Sequence, residues 1–323
     1  MADSGQGGIT QADREARRRE KPPGGAIHST VGPDRAPIRY GHWEPEGDRK
    51  GTCLILHGRR AFIEKYFETV RDLLDRGYAV FTFDWRGQGR SVRLLSNSHK
   101  GHIEHFDDYL ADLDRFMRDI VRKERREPVM ILGDSMGGHL ALRYAHDHPR
   151  FVSRLLLVAP MISIHFAHMP LSILRGIVAV ACRLRLSKRY APFQTDFNED
   201  CKQFEGNILT ADPERFADEA YFVDRDPQLA MGGVTFGWLK AAFESINRLN
   251  APGFAEEIPH PVFIAAAGQD SVVDNARARQ FADRLPRGHF ITIGDARHEI
   301  LRETDPVRAM FWRLADEFLE ATE

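Results

Sequence analysis

Cysteine is scarce in this chain, and an excess of charge of either sign is absent. Only three cysteines occur among 323 residues, Cys53, Cys182 and Cys201, and no CxxC spacing joins them. An odd number without that spacing predicts neither a disulfide framework nor a zinc knuckle. The formal net charge of -2 gives no electrostatic basis for binding nucleic acid. We therefore expect reduced thiols and no nucleic-acid partner.

Long apolar runs are missing as well. The longest, residues 171–182, is interrupted by a serine and an arginine and is shorter than the roughly 20 residues that span a bilayer. Residues 1–25 are polar and lack the apolar core of a secretory signal. They end in a Pro/Gly run, residues 21–25, that cannot continue a helix. We expect a cytoplasmic protein in which residues 1–25 form a flexible tail and residues 26–323 form the folded domain.

Short apolar runs alternate with segments of helical period along the body of the chain. The predicted strands are residues 52–56, 79–83, 129–132, 155–158, 262–266 and 290–293, and the clearest predicted helices are 63–76, 103–123 and 306–319. The near-continuous apolar character of these strands is typical of a mostly parallel sheet covered by helices on both faces. The alternation stops between Pro160 and about Thr235. That distance is too long for a simple connection, so we predict an inserted helical cap over about residues 161–235.

The strongest local motif is the G-x-S-x-G pattern at residues 133–137. It lies directly between the predicted strand 129–132 and a helical segment. In that position it predicts a sharp turn that lifts the Oγ of Ser135 above the sheet, with small residues on both sides. The same turn aims the first amides of the helix at developing negative charge, which makes the Met136 N–H the first predicted oxyanion donor.

A second donor is expected from the loop after an earlier strand. The predicted strand 52–56 continues into His57, Gly58 and Arg59, which makes the Arg59 N–H the predicted second donor. Gly58 would let the backbone approach the substrate closely. We interpret His57 as a support for this loop rather than as a group that transfers protons.

A serine hydroxyl needs a base to remove its proton, and that base needs a carboxylate to orient it. In proteins built around a G-x-S-x-G turn, the acid and then the histidine follow the serine along the chain. Asp270 and His298 each lie just after a predicted strand in that order. The alternatives are Asp274 and Asp295 for the acid and His289 for the base.

These motifs, with Asp84-Trp85-Arg86-Gly87-Gln88-Gly89-Arg90-Ser91 upstream, resemble the bacterial lysophospholipase and monoacylglycerol lipase group of α/β-hydrolases. The resemblance covers roughly residues 38–320, and residues 86–95, 101–103 and 106–109 are more similar to the lysophospholipase branch. It implies an α/β-hydrolase fold, with a mostly parallel central sheet flanked by helices and an inserted helical cap. It also implies a triad of Ser135, Asp270 and His298, with the Arg59 and Met136 amides as oxyanion hole.

The resemblance implies a serine carboxylester hydrolase that cleaves one acyl chain from a lysophospholipid or monoacylglycerol through an acyl-enzyme. The same triad acting on short esters, thioesters or peptide N-termini stays open, as does a non-catalytic α/β-hydrolase-like protein. No cofactor is expected, and no metal site, because the pair His165 and His168 lacks a third ligand. Peripheral contact with the inner face of the membrane, through the cap or the basic tail, also stays open. Asp134 stands where relatives often carry histidine, which leaves the pH optimum open.

Overall fold

The computed structural model describes residues 10–125, 127–166 and 169–322. Its centre is one sheet of eight strands. These are β1 (Gly25–Val31), β2 (Pro37–Trp43), β3 (Gly51–Leu56), β4 (Tyr78–Phe83), β5 (Val129–Asp134), β6 (Val152–Val158), β7 (Val262–Ala267) and β8 (Gly288–Ile293). The spatial order is β1-β2-β4-β3-β5-β6-β7-β8. β1 and β2 pair antiparallel with their neighbours and all later strands pair parallel, so the predicted α/β class is confirmed.

Helices cover both faces of the sheet and fill the long connection between β6 and β7. They are α1 (Gln11–Arg19), α2 (Phe67–Asp75), α3 (Phe106–Phe116), α4 (Arg122–Glu124), α5 (Met136–Asp147), α6 (Leu171–Arg183), α7 (Pro213–Arg225), α8 (Phe236–Leu249), α9 (Asn275–Ala282) and α10 (Asp305–Ala321). A π-helical turn (Met117–Val121) joins α3 to α4, and a 3₁₀ turn (Ile63–Tyr66) leads into α2. Each of the three clearest predicted helices is present.

The two faces of the sheet carry two separate apolar cores. In β3, Leu54 and Leu56 belong to one core, whereas Cys53 and Ile55 belong to the other. Successive side chains of a strand point to opposite faces. Burial of every position therefore requires cover on both sides, which explains why this strand reads as a continuous apolar run.

All six predicted strands are present, extended by one to three residues, and two further strands were not predicted. The unpredicted pair, β1 and β2, forms an antiparallel hairpin at one edge of the sheet. The order of the other strands places the carboxyl end of β5 near the middle of the parallel part. Ser135 follows that end directly.

The predicted flexible tail is wrong for residues 10–25, and residues 1–9 lie outside the described residues. Thr10 caps α1, since its hydroxyl accepts from the Asp13 N–H while the Asp13 carboxylate accepts from the Thr10 N–H. The Pro/Gly run does end this helix, but it turns the chain into β1, which starts at Gly25. The charged residues of α1 dock this helix on the folded body.

Arginines of α1 form ion pairs with carboxylates on two other helices. The Nε atoms of Arg18 and Arg19 donate to the two oxygens of Asp218 on α7, at 2.9 and 2.6 Å. Arg17 pairs with Asp72 on α2 at 3.2 Å. A basic tail that is neutralised in this way offers little attraction to a lipid surface, so that interpretation of the tail is not supported.

Candidate active site

Ser135 sits at a strained turn that only glycine neighbours allow. β5 ends one residue before it and α5 begins one residue after it. Its φ of 51° and ψ of -112° lie where a side chain is rarely tolerated. A Cβ on Gly137 would stand 1.9 Å from the Leu56 carbonyl oxygen, and one on Gly133 would stand 2.7 Å from the Gly138 Cα. The glycines of the motif are therefore required by close backbone approach.

A continuous hydrogen-bond chain joins Ser135, His298 and Asp270. The Ser135 Oγ lies 3.0 Å from the His298 Nε2, and the His298 Nδ1 lies 2.8 Å from the Asp270 Oδ2. The Asp270 Oδ1 accepts from the N–H groups of Val272 and Val273 at 2.8 and 3.0 Å. With Nδ1–H donating to the carboxylate, Nε2 is free to accept the serine proton. This arrangement can activate a hydroxyl as a nucleophile.

The surroundings of the imidazole favour its protonated form. Burial disfavours the charged ring, but the hydrogen bond and charge of Asp270, with the charges of Asp134 and Glu299, raise the pKa of His298 above its usual value. Burial likewise opposes the charged form of Asp270, yet the His298 hydrogen bond and the backbone donors lower the pKa of that carboxyl. Asp270 is therefore ionised at neutral pH and can stabilise an imidazolium.

The alternative acids and base lie in other surroundings. Asp274 caps α9, since its Oδ1 accepts from the Arg277 N–H at 3.1 Å, and Asp295 is exposed. His289 lies at the start of β8, whereas His298 follows its end. Of the sequence-predicted candidates, only Asp270 and His298 share the hydrogen-bond chain with Ser135.

The two predicted oxyanion donors belong to backbone segments that meet at Ser135. A Cβ on Gly58 would lie 3.3 Å from the Ser135 Cβ, so the loop after β3 touches the nucleophile one residue before Arg59. Met136 is the first residue of α5, and N–H groups of a first turn have no partner within the helix. Both amides are thus adjacent to the serine in sequence or in space.

Gln88 bridges these two segments and was not singled out by the sequence. Its Oε1 accepts from the Arg60 N–H at 2.8 Å, and its Nε2 contacts the Met136 Sδ at 4.0 Å. Arg60 has a φ of 62°, so this hydrogen bond holds the loop in an otherwise costly conformation. The sequence signal for Gln88 is its position between two glycines, which indicates a tightly turned loop. In the structure both glycines have positive φ.

His57 is fully buried and hydrogen-bonds to its own loop and to the loop after β4. Its Nδ1 donates to the Gly58 carbonyl at 2.8 Å, and its Nε2 accepts from the Trp85 N–H at 3.4 Å. The indole N–H of Trp85 returns a bond to the His57 carbonyl at 2.9 Å. Burial lowers the pKa of His57 to about 4, so the ring is neutral at physiological pH. Contacts of this kind support a loop.

Asp134 and Tyr66 form a buried pair behind the nucleophile. The Tyr66 hydroxyl donates to the Asp134 carboxylate and accepts from the Gly58 N–H at 3.4 Å. The other oxygen of Asp134 is buried without a hydrogen-bond partner among the described residues. Burial raises the pKa of Asp134 to about 6, although His298 and Tyr66 oppose this. No sequence signal pointed to Tyr66.

Of the paired histidines of the predicted cap, one lies within the described residues. His168 lies outside them, and His165 is exposed. Across residues 10–125, 127–166 and 169–322, no three His, Cys, Asp or Glu side chains converge as metal ligands. The three cysteines are free thiols.

Comparison with known proteins identifies the family of this chain. The family model described as serine aminopeptidase, S33, matches residues 47–305. Lysophospholipase L2 of Escherichia coli is 31% identical over 288 residues, covering 87% of this chain and 83% of that protein. Monoacylglycerol lipase of Mycolicibacterium smegmatis is 23% identical over 280 residues, covering 86% of this chain and 91% of the relative.

Solved structures extend the comparison to the fold. A soluble variant of monoglyceride lipase from Saccharomyces cerevisiae, in complex with a substrate analog, superposes with a TM-score of 0.72 at 22% identity. The match covers 93% of this chain and 97% of that one. The family match over most of the chain and the Escherichia coli relative carry the assignment. This chain therefore belongs to the serine aminopeptidase S33 family of α/β-hydrolases and is a serine hydrolase.

Proposed function

We propose that this chain hydrolyses the acyl ester of a lysophospholipid or a monoacylglycerol. Ser135 acts as nucleophile, His298 as general base and Asp270 as the acid that orients it. The observation that carries the proposal is the hydrogen-bond chain through these three side chains, at 3.0 and 2.8 Å. The names of the relatives, a lysophospholipase and a monoacylglycerol lipase, support the substrate class.

The proposed reaction has two halves. The Ser135 Oγ attacks the ester carbonyl carbon while the His298 Nε2 takes its proton, and the Arg59 and Met136 N–H groups donate to the oxygen that becomes negative. The tetrahedral intermediate collapses as His298 returns that proton to the leaving alcohol. A water molecule, activated by the same imidazole, then attacks the acyl-enzyme and releases the fatty acid.

Side-by-side hydrolysis of four substrates tests the substrate class. The substrates are a lysophosphatidylcholine, a 1-monoacylglycerol of the same chain, a short p-nitrophenyl ester and an aminoacyl p-nitroanilide. We expect fatty acid release from at least one of the two lipids at a kcat/KM above that for the short ester. Turnover of only the short ester or only the anilide would contradict the lipid proposal and leave the serine mechanism standing.

The cap segment presents an apolar stripe to solvent. The exposed apolar side chains of α6 and its end recur three or four residues apart, at Ile173 (54% exposed), Ile177 (36%), Val180 (59%) and Leu184 (64%). Residues at this spacing share one face of a helix. Leu174 and Val178, on the other face, are buried in the core. An apolar stripe of this size on a helix that is already packed marks a contact surface.

The charge of the same segment indicates what that surface meets. Residues 171–190 contain five cations and no acid. Arg175 packs on the Phe243 ring of α8, and the other four lie at the end of α6 or beyond it, at Arg183, Arg185, Lys188 and Arg189. Among the described residues, no helix is both long and apolar enough to cross a membrane. We propose that α6 rests on an anionic lipid surface, with the stripe at the acyl boundary and the cations at the headgroups.

Vesicle binding tests this contact. The wild-type chain is expected to sediment with phosphatidylglycerol vesicles and less with phosphatidylcholine vesicles. The double variant Ile177→Glu, Val180→Glu should lose most of that binding because each carboxylate would enter the apolar layer. Met310→Glu, at an exposed apolar position on α10, is the matched control and should bind normally. Equal binding by both variants would show that α6 is not part of the membrane contact.

The pH dependence of hydrolysis should move when the charge of Asp134 is removed. Asp134 is one of the carboxylates that raise the pKa of His298, and only the neutral imidazole can act as a base. Asp134→Asn should therefore lower the pKa of His298 and shift the acidic limb of the kcat/KM profile to lower pH. The exposed Asp295→Asn is the control and should leave the limb in place. If the acidic limb of Asp134→Asn stayed at the same pH or moved to higher pH, this electrostatic role would be contradicted.

A further inference from the structure

Arg59 carries a guanidinium for which the structure provides little compensation. The side chain is partly buried, and its Nη1 donates to the Gly232 carbonyl at 3.0 Å. Among the described residues, no carboxylate lies within ion-pair distance of Arg59, and its other N–H groups have no protein acceptor. A guanidinium has five N–H donors, so most of its hydrogen-bonding capacity is unused.

The neighbouring residue in the same loop, Arg60, has its charge compensated by a carboxylate. Arg60 donates from Nε and Nη2 to Glu219 on α7, at 3.0 and 2.8 Å. The second oxygen of Glu219 accepts from Lys65 at 2.7 Å. Both oxygens of Glu219 are therefore occupied, and neither pairs with Arg59.

The electrostatic surroundings of Arg59 oppose its charge. Burial and the positive charge of Arg60 lower the pKa of Arg59 to about 10, which still leaves it protonated at neutral pH. A partly buried cation without a counter-ion is costly. An anion arriving from outside the chain would relieve that cost.

The Arg59 side chain begins next to the position at which the ester would react. The Arg59 N–H is the proposed second oxyanion donor, and its predecessor Gly58 lies against Ser135. Gly232, which the guanidinium contacts, lies just before α8, at the carboxyl end of the predicted cap. The side chain thus extends from the reacting centre toward the segment that closes the cap.

We propose that the Arg59 guanidinium binds the phosphate of the substrate's head group, so that the site selects phosphate-bearing lysolipids over uncharged monoacylglycerols. This rests on the proposed lipid ester hydrolysis. In a lysophospholipid only the glycerol unit separates the ester from the phosphate, a span comparable to the length of an arginine side chain. The planar guanidinium suits two phosphate oxygens at once.

The same geometry disfavours the uncharged lipid. A monoacylglycerol would bind with the guanidinium still uncompensated, and a site built around a polar partner discriminates against substrates that lack it. The phosphate lies away from the reacting carbon, so its contact should strengthen binding of the ground state and the transition state alike. Loss of Arg59 should therefore appear mainly in KM.

The test compares two lipids that share one acyl chain, a lysophosphatidylcholine and a 1-monoacylglycerol, in identical mixed micelles of a neutral detergent. Arg59→Gln should lower the ratio of the two kcat/KM values, phosphate-bearing over uncharged, by about 10- to 100-fold. Arg59→Lys should recover part of that ratio, because a lysine still offers a point charge to phosphate. Arg90→Gln is the matched control. The Arg90 side chain pairs with Asp226 and Gln228, and its loss should leave the ratio unchanged.

The outcomes separate this inference from the function on which it rests. If the wild-type chain hydrolyses neither lipid, the proposed function fails. If it hydrolyses both and Arg59→Gln lowers both kcat/KM values equally, hydrolysis stands and the phosphate contact is overturned. A ratio that falls equally in Arg90→Gln would also overturn it, since net charge would then explain the effect. Labelling of Arg59→Gln by a fluorophosphonate verifies that the variant is folded and that its serine is active.

Discussion

Ser135→Ala should lower kcat for ester hydrolysis by about 10⁴- to 10⁶-fold. The expected loss is this large because no other group can form the covalent intermediate, and only oxyanion stabilisation and substrate binding would remain. The backbone of the turn should tolerate alanine, since the strained φ belongs to residue 135 in both forms. Steady-state release of fatty acid, with thermal unfolding as a check of folding, measures the effect.

Covalent labelling gives an independent result on the same residue. A fluorophosphonate should label the wild-type chain once and fail to label Ser135→Ala. Ser153→Ala, at a partly buried serine on β6, is the matched control and should keep both labelling and turnover. If Ser135→Ala retained a tenth of the activity, the nucleophile would have to be another group.

Asp270→Asn should be the second most damaging substitution, with kcat lowered by about 10⁴-fold. An amide at this position can donate to the imidazole, which would hold the proton on Nε2 and prevent it from accepting the serine proton. The size of an asparagine is nearly the same, so the N–H groups of Val272 and Val273 would keep an oxygen acceptor. The loss should therefore come from the tautomer of His298 rather than from unfolding.

Asp274→Asn provides the control for that substitution. Asp274 caps α9, and asparagine is an equally good capping residue, so activity and stability should both be retained. Comparable losses in the two variants would show that the loop after β7 matters as a whole. A loss confined to Asp274→Asn would move the acid to that residue.

The parallel strands could be predicted because their residues face apolar cores on both sides. Met130 and Leu132 of β5 lie in one core, and Val129 and Ile131 lie in the other, so residues 129–132 include no polar position that interrupts the pattern. The site followed from the same order, since Ser135, Asp270 and His298 each come after the carboxyl end of such a strand. Residues at these ends of parallel strands share one edge of the sheet.

The two edge strands could not be predicted by the same criterion. In β1, His28 and Ser29 are exposed, and in β2 only Ile38, Gly41 and Trp43 are buried. Antiparallel edge strands need only one covered face, so they lack the apolar run that identified the others. Gly41 shows a second reason. A Cβ there would come within 2.2 Å of the Trp43 ring, so a residue that normally weakens a strand is present here to admit an indole.

Contacts between residues that are distant in the sequence could not be predicted either. Gln88 joins the loop after β3 to the start of α5, and Tyr66 joins that loop to Asp134. Neither residue type carries chemistry that a motif would reveal, and each bonds to a residue far away in the sequence, 28 positions for Gln88 and Arg60 and 68 for Tyr66 and Asp134. Such residues become identifiable only when the fold brings the loops together.

The docking of α1 bears on the order in which the chain can fold. Arg18 and its partner Asp218 are 200 positions apart, so the first helix cannot complete its ion pairs until α7 has been synthesised and placed. Closing so long a loop is slow compared with local contacts. On a ribosome, the earliest residues to emerge would thus be among the last to reach their final position, and their arrival fastens the helix that also holds Glu219 beside Arg60.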